Sequence, residues 1–239
     1  MLRAQSIHRR ISEVSDDRGA FLWGIFTQHG GKRTGGSGFY LDVGTGNSAN
    51  LEFFMNMMRC EFAVGIDVSR DLSKRKGAML LRADAQNLPF RDGSFDLITL
   101  FSLIEHVPRP DVCLSESIRT LRSDGQLFFQ LPNRYFPIEL HSGLPLYFYL
   151  PKRIRDWLAV TAGLSGMTKI DVPSLRRVRK MLKMIQPSLQ LVAVGFYYPE
   201  GYLPDSRVLK FFHWIMRRLH IFRILPMGYV GFVSCQTQA

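Results

Sequence analysis

The sequence predicts an α/β fold: a seven-stranded, mostly parallel sheet with helices on both faces and two insertions. Three observations carry this. Short apolar runs bounded by turn residues recur at 39–41, 61–68, 79–84, 95–101, 125–132, 189–197 and 229–235, the lengths of strands rather than helices. The run Phe95–Phe101 is apolar enough to be buried on both faces, as in a parallel sheet. Segments with helical spacing lie between the runs, as in Leu51, Phe53, Phe54, Met57 and Met58. With 239 residues and 46% hydrophobic content, one such domain with insertions can form a sizeable core.

The first strand leads into Asp42-Val43-Gly44-Thr45-Gly46, and a helix follows. Gly44 and Gly46 permit a sharp turn and let a ligand come close to the backbone. The free N–H groups at the start of the helix then face that ligand. Gly44-x-Gly46-x-x-Ala49 satisfies the loose dinucleotide fingerprint, which is weak by itself. Asp42 separates the ligand classes. A fixed carboxylate beside the turn repels a pyrophosphate and attracts a cofactor that carries a sulfonium and an α-amino group.

The pattern apolar-Asp-x-Gly-x-Gly resembles motif I of the class I S-adenosylmethionine-dependent methyltransferases, which implies a Rossmann-like sheet with an antiparallel last strand, lid insertions over the ligand crevice and S-adenosylmethionine as cofactor. Further stretches extend the resemblance. The second strand ends at Asp67, about 20 residues after the glycine turn, the spacing at which an acid reaches a ribose diol. Its other reading is a cap for a helix starting near Ser69. The third strand is expected to end at Asp84; the resemblance places this acid near the adenine amino group, with Ala85 supplying a backbone N–H. Asp92-Gly93-Ser94-Phe95-Asp96-Leu97-Ile98, followed by Glu105-His106-Val107, looks like the methyltransferase group that includes the quinone-biosynthesis enzymes. The resemblance covers residues 39–132 closely and the rest by topology. The cofactor-binding set it implies is Asp42, Gly44, Thr45, Gly46, Asp67, Val68, Asp84, Ala85 and Phe101.

Methyl transfer needs a positioned acceptor and, for a hydroxyl, a base. His106 follows the fourth strand. His141 lies in the aromatic- and proline-rich stretch 133–170, read as a substrate lid, two residues from Glu139. Imidazole titrates near neutrality, which suits a base, and Glu139 is placed to orient His141 or to bind substrate. Each histidine has an equal claim to a structural role, in a helix start or in lid packing. Related quinone-pathway O-methyltransferases carry an acid three residues before the Glu-His pair; here Ser102 stands there, and no metal is expected.

The formal charge of +11 favours an anionic contact: nucleic acid, a phosphorylated substrate or a membrane surface. Nucleic acid is disfavoured, because Ser102-Leu103-Ile104-Glu105 is not the Pro-Pro-aromatic signature of base-amine methylation and no cysteine is placed for cytosine chemistry. Three scattered cysteines fit a reducing cytosol. The basic start of the chain lacks an apolar run behind it and does not read as a signal peptide.

Residues 1–37 are expected to hold a helix around Phe21–Phe26, which packs on the domain or caps the cofactor, and a glycine-rich joint; the methyltransferase domain then covers 38–239. Asp171 is expected to cap a helix running to Gln186, with Pro173 in its first turn. An insertion at 199–227 carries a basic amphipathic segment, 209–225, with Lys210, His213, Arg217 and His220 on one stripe and Phe211, Phe212, Trp214, Ile215, Leu219 and Phe222 on a wider face. That face either covers the sheet or lies at an anionic bilayer surface. The acceptor expected is small or lipid-linked, methylated at oxygen. The competing classes are a nicotinamide-dependent oxidoreductase and a non-catalytic interaction module on the same fold.

Overall fold

The computed structural model describes residues 18–31, 38–69, 77–139, 144, 146–161, 163–197, 207–219 and 225–235. His141, His220, most of the glycine-rich joint and residues 199–206 of the second insertion lie outside the described residues, as do the side chains of Phe212, His213 and Arg217. Seven strands, β1 (Phe39–Val43), β2 (Phe62–Asp67), β3 (Ala78–Arg82), β4 (Phe95–Phe101), β5 (Leu121–Pro132), β6 (Leu189–Phe196) and β7 (Gly228–Cys235), form one sheet in the order β3-β2-β1-β4-β5-β7-β6. The pairs from β3 to β5 are parallel, and β7 runs antiparallel to both β5 and β6. Strand order reverses between β1 and β4, where a ligand crevice opens at the C-terminal ends of parallel strands.

Alternate residues of each strand feed two cores. On one face Leu41, Val43, Ile98, Leu100, Leu127 and Phe129 pack against α3 (Pro110–Thr120) and α5 (Leu175–Ile185). On the other, Tyr40, Leu97, Phe128 and Phe232 pack against α1 (residues 18–28) and α2 (Ala49–Met58). The period-two alternation of a strand makes both cores from one set of segments. Helix α1 sends Leu22, Trp23 and Phe26 into its core, with the Phe26 ring 5.2 Å from Phe128 and 5.7 Å from Phe54. Burial of each such side chain is worth about 1.5–3 kcal/mol.

The remaining helices are α4 (Lys152–Thr161) and α6 (Arg207–Arg218). Among the described residues no helix is long and apolar enough to cross a membrane.

Several boundaries differ from the sequence reading. β3 stops at Arg82, and Asp84 instead forms an isolated bridge with Asn87. β5 starts at Leu121, immediately after α3, and the Arg122–Asp96 ion pair at 2.6 Å holds that early segment to β4. α5 is capped by Ser174, whose hydroxyl accepts from Arg177 N at 3.2 Å, and Pro173 precedes the cap. Asp171, expected as the cap, pairs with the Arg177 guanidinium at 3.1 Å. A serine three residues before the N–H it accepts from has the right reach, and Asp171 lies too early in the chain.

Candidate functional site: a glycine turn at the strand switch

The turn after β1 is clamped to its neighbour. Gly44 N and Thr45 N both donate to Ile66 O, at 2.8 and 2.9 Å. Gly44 has φ of +77° and Gly46 of +53°. A Cβ on Gly44 would lie 2.7 Å from Leu103, whereas one on Gly46 would meet nothing within 4 Å. Gly44 is therefore held by its left-handed backbone, with Leu103 having to shift for any side chain, and Gly46 leaves the backbone open. At the start of α2 the Ser48 side chain makes no cap bond, and the Asn47 amide oxygen accepts from Ala49 N at 3.3 Å.

Asp67 ties the turn together. Its Oδ2 accepts from Gly46 N at 2.9 Å and its Oδ1 from Ser69 N at 2.8 Å. Each carboxylate oxygen keeps another lone pair, so a diol can still be accepted bidentately. Val68 beside it is 64% exposed, an apolar surface on the crevice rim.

Asp42 is buried at the end of β1, with Thr99 Oγ1 donating to it at 2.5 Å. The Tyr40 hydroxyl lies 2.9 Å from Thr99 Oγ1. Because that hydroxyl's one hydrogen is committed to Asp42, Tyr40 is the donor. Burial pushes the Asp42 carboxyl up to about 6; the Thr99 and Thr45 hydroxyls and the Arg18 guanidinium hold it back, and Asp67 pushes it further. A carboxylate ionised against burial favours a cation.

One strand further out, Asp84 Oδ1 accepts from Gln86 N at 2.9 Å, and Ala85 is buried beside it. The Gln86 amide oxygen accepts from Arg109 N at 3.1 Å, which fixes this loop to the start of α3. Phe101 ends β4, but its ring packs against Phe54 and Phe128, at 5.2 and 5.6 Å. Its backbone, and not its side chain, stands at the crevice.

Ser102 follows in the left-handed region, with φ of +49°. Its hydroxyl donates to Gln130 Oε1 at 2.7 Å and accepts from Arg18 Nη2 at 2.7 Å; Arg18 Nη2 also donates to Gln130, at 2.6 Å. Arg18 thus reaches from α1 to the ends of β4 and β5. Its Nε is buried without a hydrogen-bond partner among the described residues. Sequence reasoning missed Arg18, Thr99, Tyr40 and Gln130. Thr99 and Tyr40 could have been found as polar groups in phase with Asp42 inside apolar strands; nothing local marks Arg18.

Of the catalytic candidates, His106 and Glu139 are among the described residues. His106 is exposed, its Nε2 4.0 Å from the buried Glu105 carboxylate. Glu139 is buried, and its backbone N–H donates to Leu144 O at 2.9 Å. His141 lies outside the described residues. Among the described residues no three or more His, Cys, Asp or Glu side chains cluster as metal ligands would.

The donor set fits S-adenosylmethionine. A buried carboxylate at the turn suits its cationic end, a carboxylate with spare lone pairs suits its ribose, and the orphaned Arg18 Nε points to an anionic group.

Residues 41–129 match the methyltransferase domain family. The demethylmenaquinone methyltransferase of Beutenbergia cavernae is 32% identical over an alignment covering 53% of this chain and 61% of that protein. The mitochondrial ubiquinone biosynthesis O-methyltransferase of Candida albicans is 34% identical, over 40% of this chain and 33% of its own. The chain therefore spans about three-fifths or less of the length of these relatives. A chain from the complex of the Haloferax volcanii Trm112 methyltransferase activator with a methyltransferase superposes with a TM-score of 0.66 at 14% identity, covering 98% of this chain and 97% of its own. An S-adenosylmethionine-dependent methyltransferase from Archaeoglobus fulgidus gives 0.57 at 17% identity, over 92% and 93%. These two likenesses are of fold. The turn, the sheet order and the sequence match agree that residues 41–129 carry a methyltransferase domain of the class I S-adenosylmethionine-dependent type, whose cofactor is S-adenosylmethionine.

Proposed function

We propose that the protein transfers the methyl group of S-adenosylmethionine to an oxygen of a small or lipid-linked acceptor. The observation that carries this reading is the bond between Asp67 and the Gly46 N–H, which holds a ribose-binding acid and an open glycine turn in one unit. The cofactor supplies an activated methyl on a sulfonium. Asp42 favours its positive end, Asp67 takes the ribose hydroxyls, and Asp84 with the Ala85 N–H takes the adenine edge. Thr45, Val68 and the Phe101 backbone line the same crevice, and Arg18 takes the carboxylate. Relatives named for demethylmenaquinone and for ubiquinone biosynthesis support a quinone-type, lipid-linked acceptor. The Candida albicans enzyme supports transfer to oxygen, whereas relatives named as ubiquinone/menaquinone biosynthesis C-methyltransferases favour transfer to carbon as the second reading. His141, oriented by Glu139, is the base that removes the hydroxyl proton, and His106, being exposed, is the alternative.

The test has two arms. Calorimetry should give tight S-adenosylhomocysteine binding and none for NADH; the reverse would overturn the cofactor assignment. Incubation of a host lysate with tritium-labelled cofactor, separated into lipid, glycan, RNA and protein fractions, should place the label in the lipid fraction, in base-stable ethers. Label confined to RNA or protein would overturn the acceptor class.

A further inference from the structure

The two insertions leave the sheet at one place. Pro132 ends β5 opposite Gly228 of β7, and Gly228 pairs in turn with Phe196 at the end of β6. Asn133 joins the roots: its N–H donates to Met227 O at 2.9 Å and its amide to Pro226 O at 2.7 Å, while Met227 N donates to Phe196 O at 3.1 Å. The segment that carries α4 and the segment that carries α6 therefore both spring from the C-terminal edge, the edge on which the glycine turn after β1 lies.

Both helices turn apolar side chains to solvent. On α4, Ile154, Trp157 and Val160 are 46%, 63% and 61% exposed, at three-residue spacing on one side, while Ala159 is buried on the other. On α6, Phe211 and Trp214 are about three-fifths exposed and stack on each other, with ring centroids 6.2 Å apart, and Leu219 just beyond the helix is exposed too. Among the described side chains of α6, Met216 is buried. The reading in which the apolar face of 209–225 simply covers the sheet thus fails for Phe211 and Trp214. Cations share these outward faces: Arg153 on α4, and Lys210 and Arg218 on α6. No acid follows Asp205 anywhere in the sequence. On α4 the one acid, Asp156, is paired with Lys152 at 2.6 Å, and aromatic side chains among cations match a surface that is apolar beneath and anionic above.

We propose that α4 and α6 together form one face that docks reversibly on an anionic bilayer and presents the crevice edge to the lipid. This rests on the lipid-linked acceptor only for its purpose; the docking itself is measured without turnover.

The full chain has three tryptophans, Trp23, Trp157 and Trp214, and Trp23 is buried in the core. The two docking-face tryptophans are therefore the ones that respond to solvent. Vesicles of phosphatidylcholine with phosphatidylglycerol should shift the emission to the blue and protect it from iodide. Phosphatidylcholine alone should not, and high salt should reverse the change. Trp157→Phe and Trp214→Phe should each keep part of the shift, since each leaves the other reporter. Lys210→Glu with Arg218→Glu should weaken binding by about five-fold or more for each cation removed. All variants should keep wild-type S-adenosylhomocysteine affinity, which separates a failed docking face from a failed fold or a failed cofactor assignment. The proposal is overturned if anionic vesicles leave the emission unchanged. It is equally overturned if Trp157 stays open to iodide on bound vesicles, which would leave α6 alone at the membrane. Sedimentation as a dimer with both tryptophans shielded before lipid is added would assign the face to a second copy instead.

Discussion

The two halves of the sheet are built on different principles. Across β3-β2-β1-β4 the C-terminal ends are close to the sheet and cross-tied: Gly44 and Thr45 to Ile66, Gly46 to Asp67, Ala83 to Asp67. Across β5-β7-β6 the same edge gives rise to long segments whose helices expose Trp157, Phe211 and Trp214. One half must hold a single cofactor, and rigid backbone does that by fixing donors and acceptors before binding. The other half must admit an acceptor that differs from protein to protein, and loops on a rigid scaffold serve that. The sharpest way to break this division is to perturb one half and read the other.

The largest effect should come from the acceptor half. His141→Ala should lower turnover with the true acceptor by about 10²–10⁴-fold, the usual loss with a general base, and leave S-adenosylhomocysteine affinity unchanged. Turnover at the wild-type level would reduce His141 to lid packing. The cofactor half should answer in the opposite way. Asp67→Ala removes two charge-assisted bonds to the ribose and should cost about 2–4 kcal/mol in cofactor affinity by calorimetry, while vesicle binding stays intact. Trp214→Ala should do the reverse. A variant that lost both together would show that the halves are coupled.

Asp42 gives the division a pH dependence. In the unfolded chain its carboxyl has the ordinary value of 3.8, and in the fold burial pushes it up to about 6. Between those values the folded state holds a proton that the unfolded state has lost, so stability falls as pH rises from about 4 to 6 and is flat above. The displacement corresponds to roughly 3 kcal/mol. Asp42→Asn should abolish that slope and make the cofactor-free protein more stable at neutral pH, read by urea titration at pH 5 and pH 7.5. Cofactor affinity should move the other way in the wild type and rise with pH over the same window, because the ionised carboxylate is the form that attracts a cation. A flat affinity profile would take Asp42 out of the cofactor site.

The cofactor half was the more legible in sequence for a physical reason. Buried parallel strands must be apolar and must end at turn residues, so β1, β2 and β4, Asp42, Gly44, Gly46 and Asp67 all stand out locally. What escaped was long-range or two-sided. Arg18 meets Ser102 across 84 positions and Gln130 across 112, and no periodicity encodes such a contact. Helical spacing in 209–225 reveals an apolar face but not which side meets the protein, and the structure buries Met216 while exposing Phe211 and Trp214. In the stretch 133–170 the aromatics and prolines hide the ten-residue helix α4. Caps are equally local in sequence and still failed at α5, where Ser174 and Asp171 are both competent residues and only the register of the first turn chooses between them.

The smallest effect expected lies on the seam between the halves. Ser102 sits between β4 and β5 in a left-handed conformation that glycine adopts freely and other residues resist by about 1 kcal/mol. Its hydroxyl offsets that cost by bridging Gln130 and the Arg18 guanidinium, a pair of bonds worth about 1.5–3 kcal/mol. Ser102→Ala should lose the bridge and keep the strain. Ser102→Gly should lose the bridge and relieve the strain. The glycine variant should therefore be the more stable of the two by about 1 kcal/mol in urea titration, with both below the wild type. An alanine variant as stable as glycine would mean that the backbone here carries no strain and that serine is kept for its hydroxyl alone. Arg18 keeps its direct bond to Gln130 in both variants, so the guanidinium is loosened rather than released. Cofactor affinity should then fall only a few-fold, equally in the two, and docking on vesicles should not change.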